Sequence, residues 1–183
     1  MRILQFLSWL SSAGVRQFFP AKLSRSHWYS NRLQAMHEPS LYDQRFQPGM
    51  EFRFFHLPSF RGPSAIRITR TATGAELRVI RFSGACDDSQ KIELERTRNV
   101  DETQWKHFLT LLEKASFWAS PVEESGRCGL DGSYWLLEGR ADARYHVLDR
   151  WSPLFELPEH NLETFVACCG YLWELAEFSE ELD

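Results

Sequence analysis

The sequence predicts an α+β domain whose core is one antiparallel sheet of about six strands with helices packed on one face. Between residues 51 and 97, and again between 133 and 151, short segments alternate apolar with polar side chains, as strands of an antiparallel sheet do. Segments near 101–118 and 158–178 instead repeat apolar residues at helical spacing. The predicted order is four strands, a helix, two strands and a helix, after an N-terminal helical segment.

The first four strands are predicted at residues 51–57, 64–71, 76–82 and 90–97. In the second of these, Ile66 and Ile68 alternate with Arg67 and Thr69. Glycine- and proline-containing turns separate the strands. Because one side of the strands carries charged residues, we expect that side of the sheet to face solvent.

The helix that follows has the clearest signals in the chain. Asp101 is a suitable N-cap, and Gln104 lies three residues later, where it completes a capping box. His107 lies off the apolar stripe and is expected to be exposed. The stripe, which we expect to cover the apolar face of the sheet, consists of Trp105, Phe108, Leu109 and Leu112.

A hairpin of strands at 133–139 and 144–151, joined by residues 140–143, is predicted next. With Gly139 placed opposite Arg144, Glu138 and Asp149 lie on one face and His146 lies on the other, because side chains alternate along a strand. The final helix is predicted at 158–178, with an apolar face that includes Cys169.

The length of 183 residues fits a single domain, 1–183, with an N-terminal helical wrap and linker at 1–50 and an α+β core at 51–183. One or two short helices are expected around residues 25–37. Residues 1–13 have apolar residues at helical spacing, which favours a docked helix and a cytoplasmic protein. A targeting segment, and hence an exported or periplasmic protein, is the alternative. We do not expect these residues to contact a membrane.

The four cysteines, Cys86, Cys128, Cys168 and Cys169, do not form a C-x-x-C pair or complete a zinc site with histidine. We expect them to be reduced and mostly buried. A Cys86–Cys128 disulfide in an exported form is the alternative. The sequence also lacks a phosphate-binding loop and a dinucleotide fingerprint, so no metal or cofactor is predicted.

One functional hypothesis is a hydrolase or transferase that uses His146 with Asp149 or Glu138 as acid and base. Its nucleophile would be Ser133 or Cys128, but neither lies in a nucleophile elbow. In the predicted register His146 also faces away from both carboxylates. These residues have ordinary turn and packing roles, so catalysis is the less favoured hypothesis.

The favoured hypothesis is a non-enzymatic protein-binding domain, most concretely a bacterial immunity-type protein that neutralises a toxin partner. The formal net charge of −4 argues against nucleic-acid binding and suits a basic protein partner, such as a basic toxin domain. Binding residues often lie in loops that flank strands. The candidate contact residues in such loops are Asp87, Asp88, Glu123 and Glu124.

The run 129–139, GLDG-x-x-W-x-LEG, and the run 145–153, YH-x-x-x-RWSP, resemble a recurring pattern in a family of uncharacterised bacterial proteins. The similarity extends over roughly residues 51–173. This resemblance implies a shared fold, and it brings no activity, cofactor or catalytic residue with it.

Overall fold

The structure, a computed structural model, describes residues 16–84, 91–123, 129, 131–156 and 162–183. These residues form a six-stranded sheet in the order β4-β3-β2-β1-β5-β6, with every neighbouring pair antiparallel. The predicted α+β class and strand count are confirmed. The elements are α1 (Ser26–Ala35), β1 (Glu51–Pro58), β2 (Ser64–Arg70), β3 (Ala75–Phe82), β4 (Ile92–Val100), α2 (Glu102–Lys114), β5 (Ser133–Ala141), β6 (Arg144–Trp151) and α3 (Glu163–Leu175).

The central strand of the sheet is β1, which pairs with β2 on one side and β5 on the other. The chain therefore runs outward from β1 to β4, returns through α2, and adds the β5–β6 hairpin beside β1. Every residue of β1 is buried, so this strand is covered on both faces. A strand buried on both faces reads as a nearly continuous apolar run, and β1 departs from that pattern only at Glu51, Arg53 and His56.

The first face of the sheet packs against α2 and α3. Phe52 of β1 contacts Trp105 and Phe108 of α2, with ring centroids 6.3 and 5.4 Å apart. Trp135 of β5 contacts Phe165 of α3 at 6.3 Å. These large rings bury much apolar area and form the larger of the two cores.

The start of α2 is fixed by the predicted capping box. The Asp101 carboxylate accepts a hydrogen bond from the Gln104 amide at 2.8 Å, and the Gln104 side chain accepts one from the Asp101 amide at 3.1 Å. Two otherwise unpaired N–H groups of the first turn are thereby satisfied. The exposed position of His107 is also confirmed.

Residues 16–50 cover most of the second face of the sheet, so the prediction that this face is exposed to solvent was wrong for its central strands. Phe18, Leu33 and Met36 pack there against Phe55 and Leu136 to form a second core. The charged residues of β1 on this face are buried and paired within the fold, whereas the charged residues of β4 on the same face are exposed, as predicted. Alternation of charge along a strand therefore marks a covered ionic layer in the middle of the sheet and an exposed surface at the β4 edge.

Several predicted boundaries and the hairpin register differ from the structure. Strand β4 extends to Val100, three residues beyond its predicted end, and α3 is confined to Glu163–Leu175, inside the predicted 158–178. The β5–β6 register also differs, since Gly139 pairs with His146 and Ala141 pairs with Arg144. The connection is therefore the two-residue turn Asp142–Ala143, with φ of 51° and 60°.

The two-residue turn was not predicted because it has none of the usual sequence signals. Turns of this kind need positive φ at both central positions and usually contain glycine or asparagine. The structural register is displaced by two residues from the predicted one, which leaves every side chain on its predicted face.

Among the described residues, none of the helices is long and apolar enough to cross a membrane. Cys168 and Cys169 are free and fully buried in α3, as expected of small apolar side chains. Residues 1–13, Cys86 and Cys128 lie outside the described residues, so the predictions of a docked N-terminal helix and of the alternative disulfide stay predictions.

Candidate functional site

The structure does not bring the proposed acid–base residues together. His146 lies on the face of the hairpin that carries Leu148, whereas Glu138 and Asp149 lie on the other face with Val147. The His146 Nε2 atom is 2.8 Å from the carbonyl oxygen of Ser120, and its ring contacts Phe117. Burial lowers the pKa of His146. This histidine therefore anchors the segment that follows α2, as the packing interpretation of the sequence suggests.

The nucleophile candidate Ser133 is fully buried at the start of β5. Its hydroxyl accepts a hydrogen bond from Trp135 Nε1 at 2.9 Å and donates one to the main-chain oxygen of Asp183. Cys128, the other candidate, lies outside the described residues. Ser133 thus joins β5 to the 179–183 segment, and its hydroxyl proton is already donated.

Glu138 belongs to a buried ionic layer on the second face of the sheet. It accepts hydrogen bonds from Arg53 Nε at 2.9 Å, from Arg53 Nη2, and from the Tyr145 hydroxyl at 2.7 Å. Arg53 also donates to Glu38 at 3.0 Å and to the carbonyl of Pro39 at 2.8 Å. Since both charges are fully buried, this pair needs these additional hydrogen bonds to offset lost hydration.

Glu38 is the centre of the ionic layer and comes from the N-terminal segment. Its carboxylate accepts hydrogen bonds from Arg53, from Arg67 Nε at 2.9 Å and from Arg78. These three guanidinium groups hold the pKa of Glu38 below its usual value although burial opposes them. The carboxylate therefore ties three neighbouring strands, β1, β2 and β3, to the segment that covers them.

Glu51, the first residue of β1, belongs to the same ionic layer. It accepts hydrogen bonds from Arg67 Nη1 at 2.6 Å and from Arg140 Nε at 3.0 Å. Arg140 Nη1 also donates hydrogen bonds to the carbonyl oxygens of Gln47 and Pro48, at 3.2 and 3.4 Å. The layer thus runs across the sheet from β3 to β5 beneath residues 36–50.

Asp149 fastens the N-terminal segment to β6. Its carboxylate accepts a 2.8 Å hydrogen bond from the hydroxyl of Tyr29 and lies 3.8 Å from Arg25. Burial raises the pKa of Asp149 to about 6, although the Tyr29 hydroxyl and Arg25 oppose the rise. Its polar groups are thus engaged within the fold, far from His146.

The structure describes only one of the four predicted partner-contact residues. Glu123 accepts hydrogen bonds from the Ser24 amide and from the Ser24 hydroxyl, both at 2.7 Å. Its side chain therefore attaches the N-terminal segment to the loop before β5. Asp87, Asp88 and Glu124 lie outside the described residues, and their role in partner binding stays a prediction.

The two halves of the GLDG and RWSP pattern contact each other in the structure. Gly132 has a φ of 154°, and a Cβ atom there would lie 2.2 Å from Ser152 Oγ and 2.7 Å from the Trp151 ring. Ser152 Oγ accepts a hydrogen bond from the Ser133 amide at 3.0 Å. Only glycine leaves room for this approach, so these positions of the pattern maintain the fold.

A cleft of about 240 Å³ lies at the end of the sheet where β1 turns into β2. Its basic lining residues are Arg61 and Arg81, and His56, Glu93 and Glu180 also line it. Its apolar lining includes Phe60, Phe82 and Trp173, of which Phe60 is 73% exposed.

The 179–183 segment contacts the cationic side of this cleft. Asp183 Oδ1 lies 3.0 Å from His56 Nε2 and 2.8 Å from Arg61 Nη2, and Glu180 pairs with Arg81. Hydrogen bonds from His56 and Arg61 lower the pKa of Asp183 to about 2. Burial lowers the pKa of His56, and the Asp183 carboxylate opposes that change.

His56 and Glu38 were not identified from the sequence. The period of two places His56 on the same face as Phe52 and Phe54, which signals burial but gives no indication of its partner. That partner, Asp183, is 127 residues away in the chain. The arginines on three predicted strands could have pointed to Glu38. If the face of the sheet that carries them is covered, their buried guanidinium groups need carboxylate partners.

The exposed charge of the described residues is predominantly acidic. The exposed basic residues are Arg16, Lys22, Lys91, Lys106, Lys114 and Arg144. The exposed acidic residues are more numerous: Asp43, Glu76, Glu93, Glu95, Asp101, Glu113, Asp131, Asp142, Glu163, Glu174, Glu177, Glu181 and Asp183.

In the part of the chain that the structure describes, no three His, Cys, Asp or Glu side chains are grouped so as to hold a metal ion. Comparison of the chain with protein-family models and with curated proteins finds no match.

Proposed function

We propose that this protein is a non-enzymatic protein-binding domain that captures a basic partner through its acidic surface, most concretely an immunity-type protein that neutralises a toxin domain. The observation that carries the proposal is the excess of exposed carboxylates: among the residues that the structure describes, thirteen acidic and six basic residues are exposed. The buried charges of this part of the chain nearly balance, because three arginines and four carboxylates are buried. The excess arises because ten of the described arginines are half-buried, including Arg67 and Arg78, which pair with Glu38.

An acidic surface of this kind attracts a basic partner over a distance and discriminates against acidic ones. The β3–β4 loop and the segment before β5 are the places where we expect contact, because each contains predicted acidic residues and flanks a strand. Binding residues often lie on loops held by a rigid scaffold.

The first experiment is affinity capture from the native host with the tagged full-length protein. We expect one stoichiometric partner with a basic surface. The test variant is D87N/D88N/E124Q, which neutralises the predicted contacts, and the matched control is E113Q/E163Q/E174Q, which removes the same charge from α2 and α3. Only the test variant should lose the partner substantially.

Two results would contradict the proposal. One is recovery of the tagged protein without a stoichiometric partner. The other is equal loss of the partner with both triple variants, because that would reflect net charge and no defined contact. The immunity role has its own test: the captured partner should inhibit growth when expressed alone, and co-expression of this protein should restore growth.

A further inference from the structure

We infer that the cationic side of the cleft beside His56 is a binding site for an acidic peptide segment, and that residues 179–183 occupy this site within the same chain. This site is opposite in charge to the acidic surface of the proposed function and does not depend on it. Three observations lead to the inference: the buried donors that converge on Asp183, the arginines that engage successive carboxylates, and the accessibility of those carboxylates.

The side chains that bind Asp183 are buried in the sheet. Trp135 Nε1 donates to the main-chain oxygen of Asp183 at 2.8 Å, and the Ser133 hydroxyl donates to the same oxygen. His56 Nε2 lies 3.0 Å from the Asp183 carboxylate. All three side chains are at most 1% exposed. A buried polar group needs a hydrogen-bond partner, so the sheet presents a preformed site for the main-chain oxygen and the side-chain carboxylate of one acidic residue.

The outer part of the cleft recognises a second acidic residue three positions earlier. Arg81 pairs with Glu180, and Trp173 Nε1 donates to the Glu180 carbonyl oxygen at 2.9 Å. The Arg81 guanidinium also stacks 3.7 Å above the ring of Phe178. The site therefore recognises an aromatic residue, a glutamate and an aspartate at spacings of two and three residues along one segment.

The carboxylates of this segment remain accessible to solvent. The side chains of Asp183 and Glu180 are 48% and 31% exposed, and Arg61 is 41% exposed. Exposed ion pairs contribute little individually to stability. A segment from a partner with the same pattern of charges can therefore compete for the site, provided that it overcomes the high local concentration of the attached segment.

The test uses the full-length E180A/D183A variant and a fluorescein-labelled peptide with the sequence of residues 178–183, FSEELD. Removing the attached carboxylates should free the cationic groups, so we expect the variant to bind the peptide at least ~10-fold more tightly than wild type does, since an attached competitor acts at roughly millimolar concentration. The matched control, E163A/E174A, removes two exposed carboxylates of α3 and should bind like wild type. The peptide FSQELN should bind neither protein.

A second measurement uses the wild-type protein, so its outcome does not depend on whether the variant folds. Unlabelled FSEELD is added to the wild-type chain at about millimolar concentration, which matches the effective concentration of an attached segment. The backbone amide resonances of residues 180–183 of the protein should then shift, because the displaced segment loses its hydrogen bonds to Trp135 and Trp173.

Two results would overturn the inference. The first is a folded E180A/D183A variant that binds FSEELD no better than the E163A/E174A control, or backbone amide resonances of residues 180–183 that do not respond to the peptide. The second is a concentration-dependent wild-type dimer that FSEELD cannot dissociate, which would assign the cleft to a second copy of this chain.

Discussion

Asp149 is a buried carboxylate whose charged form is disfavoured by its surroundings. Burial raises its pKa from 3.8 to about 6, so the folded protein holds the proton more tightly than the unfolded chain does. A raised carboxylate pKa contributes most to stability below pH 4 and loses that contribution as the pH rises through about 6. At neutral pH the ionised Asp149 therefore destabilises the fold, and the Tyr29 hydrogen bond offsets only part of the cost.

The D149N substitution should accordingly stabilise the protein at neutral pH. Asparagine keeps an oxygen that accepts from Tyr29 and removes the buried charge. The difference in unfolding free energy between D149N and wild type, measured by urea denaturation, should rise by about 1–3 kcal/mol from about pH 4 to about pH 7.5. The exposed substitution D131N serves as the control. A difference that does not change with pH would contradict this account of Asp149.

Glu38 supports a second prediction at the residue scale. Its side chain is 1% exposed and interacts with three arginines, so E38Q removes a buried charge that holds Arg53 in particular. We expect a loss of about 3–5 kcal/mol of unfolding free energy, as when one partner of a buried pair is removed.

The matched control is E95Q, because Glu95 also accepts a hydrogen bond from Arg78 but is 48% exposed. Its loss should be at most about 1 kcal/mol, the usual worth of a surface pair. Equal losses of unfolding free energy for E38Q and E95Q, measured by urea denaturation, would contradict the conclusion that the buried Glu38 carboxylate stabilises the ionic layer.

Residue-scale features were predictable where the partners are close in sequence. The Asp101–Gln104 capping box spans three residues and was recognised directly. The Arg53–Glu138 pair spans 85 residues, and no local pattern identifies which carboxylate meets which arginine. The same limit applies to His56 and Asp183.

At the scale of elements, the N-terminal segment, residues 16–50, buries most of one face of the sheet. Helix α1 carries Tyr29 and Leu33 into the second core and leaves Gln34 exposed. The sequence predicted this short helix, but its broken apolar pattern did not indicate that it covers a sheet face. The charged side of the strands consequently looked like a surface.

Substitution within α1 tests whether this segment is an integral layer of the fold. L33A should lower the unfolding free energy by about 2–5 kcal/mol, because it removes a fully buried side chain from the second core. Q34A, the neighbouring exposed position, should change it by less than about 0.5 kcal/mol. A small effect of L33A in thermal or urea unfolding would mean that residues 16–50 detach from the sheet easily.

In the β5–β6 hairpin, the alternation of side chains predicts the face on which each side chain lies but does not predict the register. Alternation assigned every hairpin side chain to its correct face, including the separation of His146 from Glu138 and Asp149. The register along the strands depends on the turn, and Asp142–Ala143 adopts positive φ without a glycine. A register displaced by two residues is therefore the expected kind of error.

At the scale of the whole molecule, the arginines are less exposed than the carboxylates. Four of them, Arg53, Arg67, Arg78 and Arg140, belong to the ionic layer between the sheet and the N-terminal segment, and most of the other described arginines are half-buried, while carboxylates predominate among the exposed charges. The composition alone gives a formal net charge of −4 and cannot reveal this difference in exposure, since it depends on which face of the sheet is covered.

The most direct test of the proposed function is the rate constant of association with the captured partner, measured by stopped flow as ionic strength is raised. Electrostatic attraction between the acidic surface and a basic partner should make the wild-type rate constant fall about 10-fold or more from low to high salt. D87N/D88N/E124Q should associate slowly at low salt and depend less on salt than E113Q/E163Q/E174Q does. A wild-type rate constant that is independent of salt, and unchanged in D87N/D88N/E124Q, would contradict the proposal.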